Sequence, residues 1–285
     1  MQIQWFPGHM AKARKQVAEN LKLVDLVIEL LDARIPHSSR NPMIKQILGD
    51  KPRLVVLNKA DLADDQATNA WIKWFATTGV SAVALNSLTG QGLKQIPDLA
   101  QAITEPVMAT RAAKGMRPRA IRAMIVGIPN VGKSSLINRL TGGNRAKTGD
   151  KPGVTRGPQW VKINPDFELL DTAGILWPKF DDPEVGVKLA VTGAISDLVL
   201  DVEELAVSLL QMVQNLKPVA LQERFKLTEL PGQGEEILTV IGQRRGCLIA
   251  GGNIDRTKAA ILSLKEFRAG LWGKITLDMA QNYRP

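Results

Sequence analysis

A glycine-bearing loop carries the strongest chemical signal in the chain. Residues 127–135 read Gly-Ile-Pro-Asn-Val-Gly-Lys-Ser-Ser, after the apolar run Ala120 to Val126 and before a helical pattern from Ser134 to Leu140. A G-x-x-x-x-G-K-[ST] sequence between a strand and a helix predicts a phosphate-binding loop, because its glycines let backbone N–H groups surround phosphate oxygens. Lys133 is expected to reach the β- and γ-phosphates, and Ser134 to coordinate Mg²⁺. The predicted nucleotide contacts are Asn130, Val131, Gly132, Lys133, Ser134 and Ser135.

Two polar segments that follow other apolar runs predict recognition of a guanine base. Asn58-Lys59-Ala60-Asp61 follows the run RLVVL, and Asn86-Ser87 follows VSAVAL. In an N-K-x-D sequence the carboxylate, here Asp61, accepts hydrogen bonds from the base N1–H and exocyclic amine, a pattern that adenine does not present. Lys59 is expected to lie along the base plane, and Asn58 to tie this loop to the phosphate loop. The backbone of Asn86-Ser87 is expected to support the base edge.

Two further segments predict contacts with a γ-phosphate and a metal ion. Asp171-Thr172-Ala173-Gly174 is a D-x-x-G sequence, which places the Asp171 carboxylate to hold Mg²⁺ through water and the N–H of Gly174 to sense the γ-phosphate. Thr155, which lies between this segment and the phosphate loop, is the predicted second Mg²⁺ ligand. The residue after Gly174, Ile175, is apolar and cannot orient a water molecule. The attacking water must therefore be positioned by another residue or by a partner.

These five segments resemble the motifs G1 to G5 of the translation-factor-type GTPases, but in the order G4-G5-G1-G2-G3. The chain is therefore similar to the circularly permuted GTPases. Its opening residues 5–10 (Trp-Phe-Pro-Gly-His-Met) and residues 32–36 (Asp-Ala-Arg-Ile-Pro) resemble those of bacterial members that act in late assembly of the large (50S) ribosomal subunit. The resemblance implies GTP/GDP and Mg²⁺ as ligands, slow hydrolysis that the large ribosomal subunit stimulates, binding to ribosomal RNA, and release after hydrolysis. Ribosomal proteins are implied as further partners.

The resemblance also suggests roles for two residues that the motif chemistry leaves unassigned. It implies that His9 positions the attacking water, although a structural loop histidine explains the sequence equally well. It implies that Asn130 helps to hold an activating K⁺, against the alternative of an ordinary loop asparagine. With these assignments the residues expected to act in hydrolysis are His9, Lys133, Thr155 and Gly174.

The elements that must position these residues divide the chain in two. In residues 1–178, short apolar runs alternate with helical patterns, which predicts a mostly parallel sheet with helices on both faces. Residues 159–163 and 167–170 are expected to pair antiparallel, and Thr110–Met116 to form a short basic linker. Residues 179–285 predict a small all-α domain that contacts RNA. Its expected helices are Pro183–Ile195, Val202–Leu216, Val219–Lys226, Glu235–Arg245 and Ile254–Gly270. Because Gly174 lies just before this domain, nucleotide state is expected to set the domain's orientation.

The charge of the chain is uneven, with 24 Lys/Arg against 14 Asp/Glu in residues 1–178 and 13 against 14 thereafter. No acidic residue lies between Glu105 and Asp150. This stretch fits either a solvated basic face or a surface that binds a polyanion. Its basic residues are Arg111, Lys114, Arg117, Arg119, Arg122, Lys133, Arg139, Arg145 and Lys147. In the second domain Arg244, Arg245, Lys258 and Arg268 are candidates for RNA contact, or alternatively solvated helix residues.

Composition narrows the class of protein. The only cysteine, Cys247, excludes an internal disulfide, which indicates the cytoplasm, and it is expected to be a small buried hydrophobe. No apolar run approaches the roughly 18–20 residues of a membrane span, so no membrane partner is expected. We expect a monomer.

Besides an RNA-binding assembly GTPase, two interpretations stay open: a nucleotide-dependent switch that binds a protein effector without RNA, and an ATPase or non-hydrolysing module. An ATPase conflicts with the N-K-x-D sequence.

Overall fold

The computed structural model describes residues 8–143, 159–171, 182–196 and 201–284 of the 285-residue chain. For some of these residues the structure describes the backbone but not the side chain, namely residues 8–14, 43–45, 159 and 171.

A mixed sheet forms the centre of the described structure. Its six strands lie in the order β3-β2-β1-β4-β6-β5, and every neighbouring pair is parallel except β5 and β6. All residues of β1 are buried, as in a central strand covered on both faces. The predicted α/β class and the antiparallel β5–β6 pair are confirmed. The strands are β1 (Leu26–Asp32), β2 (Arg53–Asn58), β3 (Ser81–Ala84), β4 (Ile121–Gly127), β5 (Gln159–Asn164) and β6 (Phe167–Asp171).

Helices accompany this sheet and make up the C-terminal region, as expected. The helices of the sheet-bearing region are α1 (Gly8–Leu21), α2 (Pro42–Leu48), α3 (Asp65–Thr77), α4 (Gln95–Ala113) and α5 (Lys133–Thr141). Those of the C-terminal region are α6 (Pro183–Val191), α7 (Val202–Leu216), α8 (Pro218–Phe225), α9 (Gly234–Arg244) and α10 (Arg256–Arg268). Helix α6 is shorter than predicted, because Gly193 adopts a left-handed conformation (φ 84°) and ends the helical run.

Four helices begin after an aspartate whose carboxylate accepts backbone N–H groups of the first turn, which is the usual N-cap arrangement. Such a cap satisfies donors that have no partner within the helix and typically contributes about 1 kcal/mol. These aspartates are Asp64 for α3, Asp182 for α6, Asp201 for α7 and Asp255 for α10. The local sequence therefore fixes where these helices begin.

The expected basic linker at Thr110–Met116 is wrong. Helix α4 continues to Ala113, and only the residues after it form a turn. Ile96 and Ala100 are buried one turn apart, so this helix packs an apolar stripe onto the core. The alanine-rich end of the helix prolongs it, because alanine has the highest helix propensity.

The two regions share one hydrophobic core. The largest cluster of buried side chains includes Leu30 and Ile125 of the sheet together with Leu189, Leu210 and Leu264 of the helices. Cys247 is also part of it and is 2% exposed, which confirms the prediction of a buried cysteine. None of the helices in the described residues combines the length and apolar character that crossing a membrane requires.

The C-terminal segment after α10 returns to the sheet-bearing region. The N–H of Leu277 donates to the carbonyl of Arg34 at 2.7 Å, and the indole N–H of Trp71 donates to the carbonyl of Asp278 at 2.7 Å. Trp71 is fully buried, as is Phe75, which lies one turn further along α3. These contacts join the segment after α10 to the loop that follows β1 and to α3.

Candidate nucleotide-binding site

The phosphate loop has the backbone that its sequence predicts. Strand β4 ends at Gly127 and α5 begins at Lys133, so the loop joins a strand directly to a helix N-terminus. Gly132 adopts φ 101°, and a Cβ atom there would lie 2.4 Å from the side-chain nitrogen of Asn58. Glycine is therefore required at this position both for its backbone conformation and for the close approach of the neighbouring loop.

Lys133 lies buried inside this loop. Its ammonium group donates to the carbonyl oxygens of Gly127 at 3.1 Å and of Ile128 at 2.8 Å, and the residue is 9% exposed. The positive charge is thereby held at the centre of the loop, where backbone N–H groups and the N-terminus of α5 add positive potential. Ser134 and Ser135 follow in the first turn of that helix. The arrangement suits the binding of a polyphosphate.

Asn58 joins the predicted base-recognition loop to the phosphate loop, as the sequence indicated. Its side-chain nitrogen donates to the carbonyl of Val131 at 2.7 Å, and its side-chain oxygen accepts from the N–H of Ser87 at 3.1 Å. Asn58 is 1% exposed, so both hydrogen bonds are protected from water. One side chain thus holds together three segments that lie far apart in the sequence.

The other residues of the N-K-x-D loop have distinct environments. Lys59 has a left-handed backbone (φ 60°), and its ammonium group pairs with the carboxylate of Asp32 at 3.0 Å. Ala60 donates its N–H to the carbonyl of Leu85. Asp61 is exposed and lines a cleft of about 360 Å³ that Asn86 also lines. The predicted base-reading carboxylate is therefore accessible beside the second base-recognition segment.

Asn86 organises that second segment. Its side-chain oxygen accepts from the N–H groups of Leu88 at 2.8 Å and Thr89 at 3.1 Å, and its own N–H donates to the carbonyl of Gln91. The side chain of Asn86 therefore shapes the turn that follows β3. The expected contact of the Asn86-Ser87 backbone with a base edge stays a prediction.

Asn130, the predicted K⁺ ligand, contacts the helical region. It has a left-handed backbone (φ 56°), and its side-chain nitrogen donates to the carbonyl of Gly193 at 2.9 Å. This contact could not be predicted from local patterns, because Gly193 lies 63 residues further along the chain.

The remaining predicted site residues are only partly described. Thr155 and Gly174 lie outside the described residues, as does Ile175. Asp171 ends β6 and His9 lies in the first turn of α1, but their side chains are outside the description. The loop position expected for His9 is wrong, because its backbone is helical.

Several residues of the predicted basic surface form contacts within the chain. Arg119 pairs with Asp25 at 2.7 Å, Arg122 lies over the ring of Trp160, and Arg139 donates to the carbonyl of Thr89. Lys114 and Arg117 are exposed after α4, whereas Arg145 and Lys147 lie outside the described residues. Among the described residues, part of the predicted basic surface therefore also contributes to contacts within the chain, and its binding to a polyanion stays a prediction.

Two of the four candidate RNA-contact residues in the C-terminal region also bind within the chain. Arg245 pairs with Glu266 at 3.0 Å, and Arg268 donates to the carbonyl oxygens of Ala190 and Val191 at the end of α6. Arg268 is partly buried, so the alternative of a solvated helix residue is wrong for it, whereas Arg245 is exposed and that alternative stays open. Arg244 and Lys258 are exposed.

Asp32 and Arg34 belong to the site but were not predicted as site residues. Asp32 ends β1 directly beside Asn58 of β2, and Arg34 donates to its carboxylate at 2.7 Å. Burial alone would raise the pKa of Asp32, but Arg34 and Lys59 outweigh that effect and hold the pKa well below its ordinary value. An acidic residue at the carboxyl end of a strand was the signal that could have indicated this role.

Comparison with known proteins decides the family. Ribosome biogenesis GTPase A of Bacillus cereus is 54% identical to this chain, over 99% of this chain and 96% of that protein. The chain belongs to the ribosome biogenesis GTPase A family. A second relative of that name, from Priestia megaterium, is 52% identical over 98% of this chain and 97% of its own length. Residues 122–231 also match the family described as 50S ribosome-binding GTPase.

A solved structure shows the same fold. The GNP-bound YlqF from T. maritima has a TM-score of 0.64 and 23% identity, and the match covers 95% of this chain and 99% of that chain. Membership of the ribosome biogenesis GTPase A family identifies the chain as a GTPase, which agrees with the phosphate loop and the N-K-x-D loop held together by Asn58.

Proposed function

We propose that this GTPase is a cytoplasmic factor for late assembly of the large ribosomal subunit, which binds ribosomal RNA and leaves after GTP hydrolysis. The name of its relatives at 54% and 52% identity, over nearly the whole chain, supports a role in ribosome biogenesis. The observation that carries the enzymatic part is the bridge that Asn58 makes between the base-recognition loop and the phosphate loop. It acts as a monomer with ribosomal RNA and ribosomal proteins as partners.

In this proposal Asp61 selects guanine, and the exposed position of its carboxylate in the cleft beside Asn86 supports that role. Asp61→Asn replaces one of the two carboxylate oxygens with an NH₂ donor, which cannot accept from the exocyclic amine of guanine but can donate to the carbonyl that xanthine has there. We therefore expect affinity for GDP to fall by about 100-fold or more and affinity for xanthosine diphosphate to rise. Asp65→Asn is the matched control, because Asp65 lines the same cleft but pairs with Lys274 instead. Equal losses in both variants would contradict the assignment.

Mg²⁺ and K⁺ complete the proposed site. Bound Mg²⁺ supplies charge neutralisation at the β- and γ-phosphates. We assign Ser134, Thr155 and, through water, Asp171 to it, because hydroxyl and carboxylate oxygens are the ligands that this ion prefers. The position of Ser134 in the first turn of α5, directly after Lys133, supports this assignment. Asn130 is assigned to K⁺ through its side-chain oxygen, the atom that its hydrogen bond to Gly193 does not use.

Hydrolysis requires a group that orients the attacking water. The apolar Ile175 cannot do so, and we assign this role to His9. His9→Ala is then expected to lower GTP turnover on large subunits while leaving GDP affinity within about threefold of the wild type. Normal turnover in this variant would transfer the role to the ribosomal partner.

RNA binding in this proposal uses the basic residues that the fold leaves exposed, which include Lys114, Arg117, Arg244 and Lys258. Co-sedimentation with purified large subunits at increasing salt concentrations tests this. A steep loss of binding is expected, because contacts with phosphates release counterions. The double variant Lys114→Glu/Arg117→Glu should bind more weakly with a shallower salt dependence, whereas Lys73→Glu, an equally exposed lysine on α3, should not. Binding that is insensitive to salt would favour a protein effector instead.

A further inference from the structure

Asp32 occupies a position between the guanine-recognition loop and the helical region. Its carboxylate binds two cations at once, the ammonium of Lys59 at 3.0 Å and the guanidinium of Arg34 at 2.7 Å, and both distances are to the same oxygen. Asp32 is 2% exposed, so the two pairs form in a poorly hydrated environment where electrostatic interactions are strong. Because β1 and β2 are parallel and Asp32 is paired in register with Asn58, the carboxylate lies directly beside the base-recognition loop.

This pairing restricts the side chain of Lys59. A lysine side chain has several freely rotating bonds, and fixing them when a ligand binds costs conformational entropy. With its ammonium group held by Asp32, the side chain of Lys59 is already restricted before a base arrives. The left-handed backbone of Lys59 fixes the other end of the same side chain. Both ends of the stem are therefore set by the protein.

Arg34 extends the network to α6. Besides two hydrogen bonds from its side chain to Asp32, its Nη2 donates to the carbonyl of Thr192 at 3.3 Å, and its guanidinium lies 5.6 Å from the centroid of the Phe267 ring. Arg34 is 2% exposed, and its Nη1 has no hydrogen-bond partner among the described residues. A planar guanidinium can hold a carboxylate and a carbonyl together, which a lysine ammonium at the same place cannot do with fixed geometry.

The end of α6 is held from both halves of the nucleotide site. Thr192 accepts from Arg34, which reaches the base-recognition loop through Asp32, and Gly193 accepts from Asn130 of the phosphate loop. Carbonyl groups at a helix C-terminus lack partners within the helix, so donors from outside contribute to fixing its position. A change in either nucleotide-binding loop can therefore act on the same two residues.

We propose that Asp32 and Arg34 are positioning residues for guanine-nucleotide binding: Asp32 presets Lys59 along the base plane, and Arg34 links that state to the C-terminal end of α6. This proposal rests on the proposed function in one respect, the contact of Lys59 with the base. By thermodynamic reciprocity, if the network links the two places, a bound nucleotide must change the stability of the α6 end, and the α6 end must change nucleotide affinity.

A buried ion pair on the same strand provides the matched control. Glu29 lies three residues before Asp32, is 3% exposed, and pairs with Arg53 at 3.1 Å away from the nucleotide loops. Replacing either buried acid by its amide leaves its cationic partner with a weaker acceptor, so both variants are expected to unfold at lower temperature. A purely structural role for Asp32 therefore predicts the same behaviour for both variants.

The first test measures the dissociation constant of a fluorescent GDP for the folded full-length variants, with the melting temperature as a check on folding. Asp32→Asn is expected to weaken binding by about tenfold or more, because a charge-assisted contact is lost. Asp32→Glu, which keeps the charge, should recover part of the affinity. Glu29→Gln should stay within about threefold of the wild type. Equal affinities of Asp32→Asn and wild type, or equal losses in Asp32→Asn and Glu29→Gln, would overturn the proposal.

The second test measures amide hydrogen exchange at saturating GDP, so that differences between the variants in GDP affinity do not affect the result. In the wild type, GDP is expected to slow exchange at residues 190–195 but not in α9. Arg34→Lys keeps a charge beside Asp32 but loses the fixed bridge to Thr192, so GDP should slow exchange at residues 190–195 less than in the wild type. An unchanged GDP effect in this variant would refute the link to α6. Failure of the wild type to bind GDP at all would instead contradict the proposed function.

Discussion

The side chain of Asn130 donates a hydrogen bond of 2.9 Å to the carbonyl oxygen of Gly193. The donor lies in the phosphate loop and the acceptor lies just beyond α6, so this bond connects the nucleotide site directly to the helical region. The same side chain also carries the oxygen that we assign to K⁺. Asn130 therefore has two separable roles, one for its nitrogen and one for its oxygen.

Two substitutions of Asn130 separate these roles. Asn130→Ala removes the oxygen and the nitrogen, so we expect the stimulation of GTP turnover by K⁺ over Na⁺ to disappear. Asn130→Asp keeps an oxygen ligand but loses the donor to Gly193, so the stimulation should persist. Steady-state turnover in matched K⁺ and Na⁺ buffers measures both. If Asn130→Ala keeps the full stimulation by K⁺, the ion binds elsewhere.

Gly132→Ala is expected to abolish tight nucleotide binding. The added Cβ atom would lie 2.4 Å from the side-chain nitrogen of Asn58, which would break the bridge between the two loops. Gly142→Ala is the matched control, because Gly142 also has a positive φ of 65° but no heavy atom within 4 Å of the added Cβ. The control should cost about 1 kcal/mol of stability and leave GDP affinity unchanged. Calorimetric titration with GDP distinguishes the two, and tight binding by Gly132→Ala would contradict the role of the bridge.

Asp278→Ala is expected to destabilise the protein by about 3–5 kcal/mol, because it leaves the buried ammonium of Lys188 without its buried partner. Asp278 is fully buried and accepts from the ammonium of Lys188 at 2.9 Å, from the N–H and hydroxyl of Ser38, and from the hydroxyl of Tyr283. The free energy of unfolding in urea measures the loss.

Lys274→Ala is the control for this measurement. Its ammonium pairs with Asp65 at the surface, where both side chains are largely accessible to water, so its loss should cost no more than about 1 kcal/mol. If the two variants were equally stable, the C-terminal segment would not be anchored by Asp278.

The protonation of His37 should contribute to the pH dependence of the free energy of unfolding. Its ring stacks on Tyr283 with centroids 3.8 Å apart, and burial lowers the pKa of His37 below its ordinary value of 6.5. The unfolded chain therefore binds this proton first, so the contribution of His37 is fully present above pH 6.5 and is lost as the pH falls below it. Urea unfolding at about pH 7.5 and about pH 5.5 should show a smaller loss of stability in His37→Gln than in the wild type, by up to about 1 kcal/mol. An equal or larger loss in the variant would show that His37 is not the group responsible.

The sequence predicted the parts of the fold that depend on local patterns. The phosphate loop and the N-K-x-D loop were placed at strand ends because apolar runs precede them, and α7 has the bounds Val202–Leu216 that the helical pattern predicted. Their neighbouring arrangement follows from parallel strands that present their carboxyl ends at one edge.

The features that the sequence did not predict depend on contacts between distant residues. The pair of Asp32 and Lys59 requires the parallel register of β1 and β2, and the bond from Asn130 to Gly193 requires the docking of α6. Similarly, Arg268 was expected as a solvated residue or an RNA contact, but carbonyl groups of α6 accept its hydrogen bonds. Composition and spacing contain no information about these partners.

GTP turnover in K⁺ buffer, with and without purified large ribosomal subunits, tests the central claim most directly. We expect slow turnover of the protein alone, on the order of 10⁻³ s⁻¹ or less, as for GTPases that lack an assisting group. Large subunits should stimulate it strongly, because in the proposed function hydrolysis releases the protein from the subunit and should therefore be fast only on the subunit. No stimulation, together with normal GTP binding, would contradict the assembly role and favour a switch that acts on a protein effector.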